Sequence, residues 1–367
     1  MAKLHHEKRP LPVRARPADN LAPPEPVDVL IVGAGTAGCA AALGLPKGLS
    51  AILIDRADPR DGRCCGGLIA HDAQAAFREL ELELPSRVRV LPEPRDVHVL
   101  DLESGREQRY RRDYWNVDRA RFDNWLLELA LPRVRFMPRT RLLSVRPDRG
   151  GFDCTVLTGG RGATIRCERI IGADGARSLV RRMLCPDRPG PRCAVALQVS
   201  LPPCASLRNH EVVFSERLTR FYAWAIPKPD RVLVGSAFED PRTARVRFEE
   251  TLGIITHAHN IEPTVTDRHA RPLSRPCGKK ELLWGTEGVL LAGEAAGLVS
   301  PSSGEGISYA LQSGIAAGRA LSCAAPEPTY RRGFRRIARR VSRKFAKARI
   351  IGTPWARRLA MRLPWYP

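Results

Sequence analysis

The residues with the plainest chemical meaning stand early in the chain, where the apolar run Val27 to Val32 breaks into Gly33-x-Gly35-x-x-Gly38 and then into an alanine-rich segment. A strand, a glycine turn and a helix in that order can hold a pyrophosphate. Gly33 permits the tight turn, Gly35 lets backbone approach the anion, and Gly38 lets the helix pack closely on the strand, with its N-terminus facing the phosphates. A second apolar strand, Ala51 to Ile54, ends at Asp55, twenty-two residues after Gly33. That is close to the roughly 20 expected for an acid that binds a ribose, and an acid there favours a free 2′-hydroxyl, as in FAD or NAD.

Two further stretches carry turns at strand ends. One is Arg169 to Ile171 followed by Gly172-Ala173-Asp174-Gly175 and Ser178-x-x-Arg181; the other is Val289 to Ala292 followed by Gly293-Glu294-Ala295-Ala296 and a Gly304-x-Gly306 loop that opens an apolar helix. Asp174 by itself also reads as a plain Asx turn. The first stretch resembles the motif shared by flavoprotein hydroxylases and geranylgeranyl reductases, where it supports the FAD and the nicotinamide route. The second resembles the same family's third flavin motif. There an acid, here Glu294 in place of the usual Asp, hydrogen-bonds the ribityl chain, and the Gly304 and Gly306 loop lies against the isoalloxazine. The helix dipole would stabilise the anionic reduced flavin. Three such motifs in order imply FAD as the cofactor.

Cys65-Gly66-Gly67, with Arg63 two residues before, resembles the K-x-C-G-G-G segment of geranylgeranyl reductases, Leu68 replacing the last glycine. Tyr222, Trp224 and Pro227 match the reductases' P-x-x-Y-x-W-x-F-P strand, with Thr219 and Ile226 as departures. In the family this strand roofs the substrate cavity. Alternation alone puts Tyr222 and Trp224 on one strand face and Ala223 and Ala225 on the other. The two aromatics then line a cavity wall or are ordinary core aromatics. Val117-Asp-Arg119-x-x-Phe122-Asp matches a further family pattern, which makes Arg119 a flavin contact toward the adenosine side; the alternative is a solvated surface arginine.

The resemblance spans residues 27 to 325 and implies a p-hydroxybenzoate-hydroxylase-like α/β fold. A Rossmann-type FAD-binding domain (27–87, 113–189 and 271–325) would be interleaved with a smaller antiparallel β-sheet substrate domain (88–112 and 190–270), and C-terminal helices would follow. The implied reaction is hydride transfer from N5 of reduced FAD to a carbon-carbon double bond of a hydrophobic, isoprenoid-like substrate, with Cys65, Tyr222 or water giving the proton. Cys65 also reads as an inert buried thiol. No second G-x-G-x-x-G follows a strand, so electrons arrive from NAD(P)H or a reduced carrier. The rival is an FAD-dependent monooxygenase or halogenase acting on an aromatic or polyketide-like substrate. Halogenases carry a W-x-W-x-I-P strand close to Tyr222-Ala-Trp224-Ala-Ile226-Pro227, but Tyr222 and the lack of a Lys-bearing segment near 70 to 80 argue against that branch. A non-enzymatic basic binding protein would leave the flavin motifs without use.

At 367 residues and 43% apolar, the chain is long enough for a large core. Ten cysteines without a C-x-x-C pair or histidines at ligand spacing read as reduced thiols of a cytosolic protein, with no metal site. No apolar run reaches the roughly 18 residues of a membrane span. Residues 1–26, rich in Pro and charge, read as a flexible tail. The net charge of +21 implies acidic partners, and thirteen Lys or Arg with no acid between Arg331 and Arg362 hold over half of it. Within 326–367, Phe334, Ile337, Val341 and Phe345 recur at helical spacing among arginines, and Trp355 to Trp365 repeats the mix. This basic amphipathic helical tail either lies on an anionic membrane, at the inner face, or packs on the FAD domain with its charges solvated. An acidic redox protein is a second candidate partner; nucleic acid is not expected.

Overall fold

The computed structural model describes residues 25–58 and 65–362; residues 1–24 of the expected tail at 1–26, Arg63 and Trp365 lie outside them. The sheet that carries the glycine turn has parallel strands at its centre. Val27–Val32 lies between Ala51–Ile54 and Arg161–Gly172, flanked in turn by Arg135–Met137 and Val289–Leu291. Both faces are covered, so these strands are continuous apolar runs, as in Leu30, Ile31, Ile52, Leu53 and Ile170, all fully buried.

One face is covered by two helices in backbone contact, Thr36–Gly44 and Ile307–Ala320. Small residues make this possible. A Cβ on Gly314 would collide with the Ala37 carbonyl, and one on Gly318 with that of Ala41. The first and third sequence motifs are thereby held against each other.

The second sheet has seven strands, from Asp96–Asp101 and Arg106–Arg111 in one segment and Arg192–Leu201, His210–Ser215, Thr219–Pro227, Val232–Phe238 and Asp267–Arg275 in the other. It therefore draws on 88–112 and 190–270 and runs five residues past the latter. One pairing departs from the antiparallel expectation: His210–Ser215 runs parallel to Asp96–Asp101. These strands come from distant segments and no hairpin joins them, so nothing forces antiparallel order. One face packs on the helix Pro241–His259 through Ala223, Ala225, Phe238 and Phe248; the other turns Val212, Phe214 and Tyr222 toward Leu68 and Ala70.

The basic tail is a 27-residue helix, Pro326–Gly352, followed by Pro354–Ala360. Its apolar stripe is used inside the protein: Tyr330, Phe334, Ile337 and Val341 are buried in the core of the first sheet, and the Tyr330 hydroxyl donates to the Leu291 carbonyl at 2.5 Å. Of the two expectations for this stripe, packing on the FAD domain is the one realised. The shorter helix is bound to the second sheet by a buried ion pair, Arg357 to Asp101 at 2.7 Å.

Candidate active site

Four parallel strands end on one edge of the first sheet, and each delivers a sequence motif there. Val27–Val32 ends at Gly33, Ala51–Ile54 at Asp55, Arg161–Gly172 at Ala173 and Asp174, and Val289–Leu291 leads to Gly293 and Glu294. The carboxyl edge of an open parallel sheet is where such folds bind ligands. Gly33 has φ +103°, and a Cβ there would crowd the Ala173 carbonyl, while a Cβ on Gly38 would strike the Gly33 carbonyl oxygen. Gly35 is the N-cap of the first helix and no side chain caps it, so the first-turn amides have no side-chain acceptor. Gly306 begins the third-motif helix in the same uncapped way, and Gly304 takes φ +66°. Two uncapped helix N-termini and a cradle that excludes Cβ atoms fit a dinucleotide.

The acids on this edge have distinct tasks. Asp55 accepts from the Ala34 amide at 2.8 Å and from the Ala57 amide at 3.0 Å, bracing the glycine loop. Asp174 accepts from the Ser178 hydroxyl at 2.5 Å and from the Leu179 and Val180 amides, bracing the start of helix Leu179–Leu184, whose N-cap is Ser178. Arg181 donates from that helix to the carbonyls of Ala295, Pro189 and Glu281, tying the second motif to the third. Glu294 lies near Ala176 and Ser274; burial pushes its carboxyl up to about 7 although both backbone amides favour the anion.

The roof strand Thr219–Pro227 meets the glycine loop at Ser303. The Tyr222 hydroxyl donates to the Ser303 carbonyl at 2.5 Å, and its ring meets Trp224 edge-on at 6.0 Å. Burial, and then the charge of Glu305, hold the Tyr222 proton far above its usual range, so Tyr222 tethers the glycine loop. Trp224 lies over Gly235, where a side chain would enter its ring, and its indole N–H points at Gln198 Oε1, 3.4 Å away. At the strand's far end Ile226 presses on Gly66. Cys65 is thus placed beneath the roof, beside Arg119. That arginine is not solvated: its side chain is 12% exposed, pairs with Asp123 at 2.9 Å and lies over the Phe122 ring. Its neighbours are Cys65 and Gly67, at the roof-strand end of the site.

Several polar residues here escaped the sequence argument. Glu305 accepts from Arg112 at 2.7 Å, from Tyr114 at 2.8 Å and from Ser303 at 3.2 Å. Burial is the largest influence on Arg112 and opposes its charge, but Glu305, Tyr114, Tyr110 and Asp72 together outweigh it and the net shift is upward. Glu305 was visible between Gly304 and Gly306; Arg112 and Tyr114 carry no local signal. His210 is buried and held neutral, its pKa pushed down to about 3 by burial, then by Arg112 and Lys228. Lys228, directly after Pro227, and Asn116 complete the set. Among the described residues no group of three His, Cys, Asp or Glu could hold a metal, and no helix is long and apolar enough to cross a membrane.

A Rossmann-type edge joined to a roofing sheet defines a flavoprotein of the p-hydroxybenzoate hydroxylase type. Residues 26–328 match the family model described as FAD binding domain, and the chain belongs to that family of FAD-dependent oxidoreductases and monooxygenases. Protein CbrA of Escherichia coli K12 is 30% identical over 347 residues, covering 92% of this chain and 97% of its own. Among solved structures, a geranylgeranyl bacteriochlorophyll reductase-like protein from Thermoplasma acidophilum superposes with TM-score 0.75 at 18% identity, over 90% of this chain and 88% of that one. PqsL of Pseudomonas aeruginosa, a probable FAD-dependent monooxygenase, gives 0.68 at 18%, over 92% and 99%. The flavin-dependent halogenase CmlS gives 0.64 at 19%, over 92% of this chain and 62% of its own. At such identities these likenesses speak for the fold.

Proposed function

We propose that the protein is an FAD-dependent reductase of carbon-carbon double bonds in a hydrophobic, isoprenoid-like substrate. The observation that carries this reading is the aromatic face of the roof strand. Tyr222 is tied through its hydroxyl to the Ser303 carbonyl and packs against Trp224, while Ile226 of the same strand lies on Gly66, next to Cys65. FAD, when bound, supplies hydride transfer. Gly33, Gly35, Gly38 and Asp55 would hold its dinucleotide part, and Glu294, Gly304 and Gly306 its ribityl and ring end. Tyr222 spends its hydroxyl proton on Ser303, so of the candidate acids Cys65 and water remain to give the substrate a proton.

The test is a single turnover without oxygen. The flavoprotein is photoreduced and mixed with geranylgeraniol, and flavin reoxidation should accompany a product heavier by two hydrogens. Reoxidation only when oxygen is admitted, with one oxygen atom in the product, would replace this reading with the monooxygenase one. NAD(P)H or an acidic carrier protein would reduce the flavin. The arginine face of the long C-terminal helix would attract such a carrier or an anionic bilayer, and either contact would weaken between low and physiological salt.

A further inference from the structure

The main apolar stripe of the C-terminal helices is spent on the protein's own core, but a second set of apolar side chains in the same segment is not. Ile350 is 44% exposed, Trp355 69% and Leu359 54%. Seven large apolar side chains are exposed to this degree among the described residues, and three of the seven fall within ten residues here. Scattered singly, such side chains need no explanation; gathered at one end of a segment they mark a contact surface.

What lies beneath holds them outward. On the opposite side of helix Pro354–Ala360, Arg357 pairs with Asp101 at 2.7 Å and lies over the Phe214 ring, and Met361 joins Val212, Phe214 and Tyr222 in one apolar cluster while its carbonyl accepts from Gln108 at 2.8 Å. Trp355 and Leu359, four residues apart, share the other side. The helix cannot roll to bury them without breaking the Arg357 ion pair. Ile350 belongs to the outward face of the long helix. At about 100° per residue it lies in line with Arg332, Arg335, Arg336, Arg339 and Arg343, all exposed and opposite the buried Phe334, Ile337 and Val341. Among the described residues none of these five arginines has an acidic partner, and no Asp or Glu stands between Arg331 and Arg362. The result is a row of positive charge about 27 Å long that ends in a branched aliphatic, a tryptophan and a leucine. An acidic protein would satisfy the arginines alone. Arginines with exposed Trp and Leu at their end complement a surface that offers anionic headgroups and hydrocarbon together.

We propose that this surface docks the protein peripherally on an anionic lipid bilayer, with the arginine face on the headgroups and Ile350, Trp355 and Leu359 inserted among the upper acyl chains. The contact is independent of the reductase reading, since no flavin-binding or roof residue takes part in it.

The test mixes flavin-loaded protein at low salt with vesicles of phosphatidylcholine and phosphatidylglycerol, or of phosphatidylcholine alone. Flotation should recover it with the mixed vesicles only, and less of it at physiological salt. A net charge of +21 draws any such protein toward anionic lipid, so insertion is the deciding readout. Mixed vesicles brominated near the headgroup end of their acyl chains should quench tryptophan fluorescence, and Trp355→Phe should lose a distinct part of that quenching while still floating. Trp355→Ser combined with Leu359→Ser should weaken binding on the order of 10- to 100-fold at unchanged flavin content and melting temperature. Absence of flotation at low salt overturns the proposal, as does binding that the serine pair leaves unchanged, which would make the attraction one of charge alone. Three other outcomes overturn it by giving the surface another occupant. Binding of an acidic flavodoxin that the serine pair weakens, with vesicles ignored, assigns it to a protein carrier. A dimer in sedimentation that the serine pair dissociates assigns it to a second copy. Flotation gained only on deletion of residues 363–367 assigns it to that segment of the chain. Should the serine pair lose its fold, the quenching in Trp355→Phe decides.

Discussion

The two halves of the site are built from different materials. At the edge of the parallel sheet the work is done by backbone: Gly33, Gly38 and Gly293 leave no room for a side chain, and two uncapped helix ends present amides. At the roof the work is done by side chains that belong to separate segments, with Cys65, Asn116, Arg119, Tyr222, Trp224, Lys228 and Glu305 joined by hydrogen bonds and packing. The first half therefore has an all-or-none tolerance, because an added methyl meets a carbonyl that the sheet itself fixes. The second can lose a member and remain folded, at the expense of geometry or charge.

The harshest way to break this contrast is Gly38→Val. Its Cβ would overlap the Gly33 carbonyl, so the variant should lose FAD altogether, and overpacking of this kind costs roughly 1–3 kcal/mol or more. Absorbance at the flavin bands after purification checks it, and a yellow, stable variant would show that the loop is not the rigid half. Next comes the tail, whose stripe belongs to the rigid half as well. Phe334→Ala should destabilise by roughly 3–5 kcal/mol in urea titration, and deletion from Arg331 onward should unfold the FAD domain. A truncated protein that keeps its flavin would return the tail to the status of an appendage.

Trp224→Ala probes the roof. Flavin content should stay at the wild-type level while turnover falls on the order of 100-fold through misplaced substrate. Joint loss of flavin and fold would make Trp224 a core residue and erase the distinction between halves. The mildest probe is Glu294→Gln. The Glu294 pKa rises from 4.5 to about 7 on folding, so its contribution to stability is complete below pH 4.5 and is lost as pH climbs to 7. The glutamine variant should flatten that slope in a pH series of melting temperatures, and an identical slope would mean the carboxyl titrates normally.

The same division explains what could be read in advance. Gly33, Gly35, Gly38, Asp55, Gly293, Glu294, Gly304 and Gly306 are legible because a backbone conformation that only glycine tolerates must be written into the chain locally, at spacings the turn dictates. The alternation of Tyr222 and Trp224 is legible for a similar reason, since a strand has only two faces. Arg119 was legible as a candidate, but its burial against Asp123 and its place beside Cys65 were not. Lys228 and Asn116 are 112 residues apart in sequence, and Arg112 and Glu305 are 193 apart; no local pattern marks residues whose meeting depends on how two sheets are docked. The tail shows the limit in another form. Its spacing determined that one helical face is apolar and the other basic, but an apolar stripe is satisfied equally by lipid or by protein. Only the tertiary structure, by placing Tyr330, Phe334, Ile337 and Val341 against the first sheet, decided which.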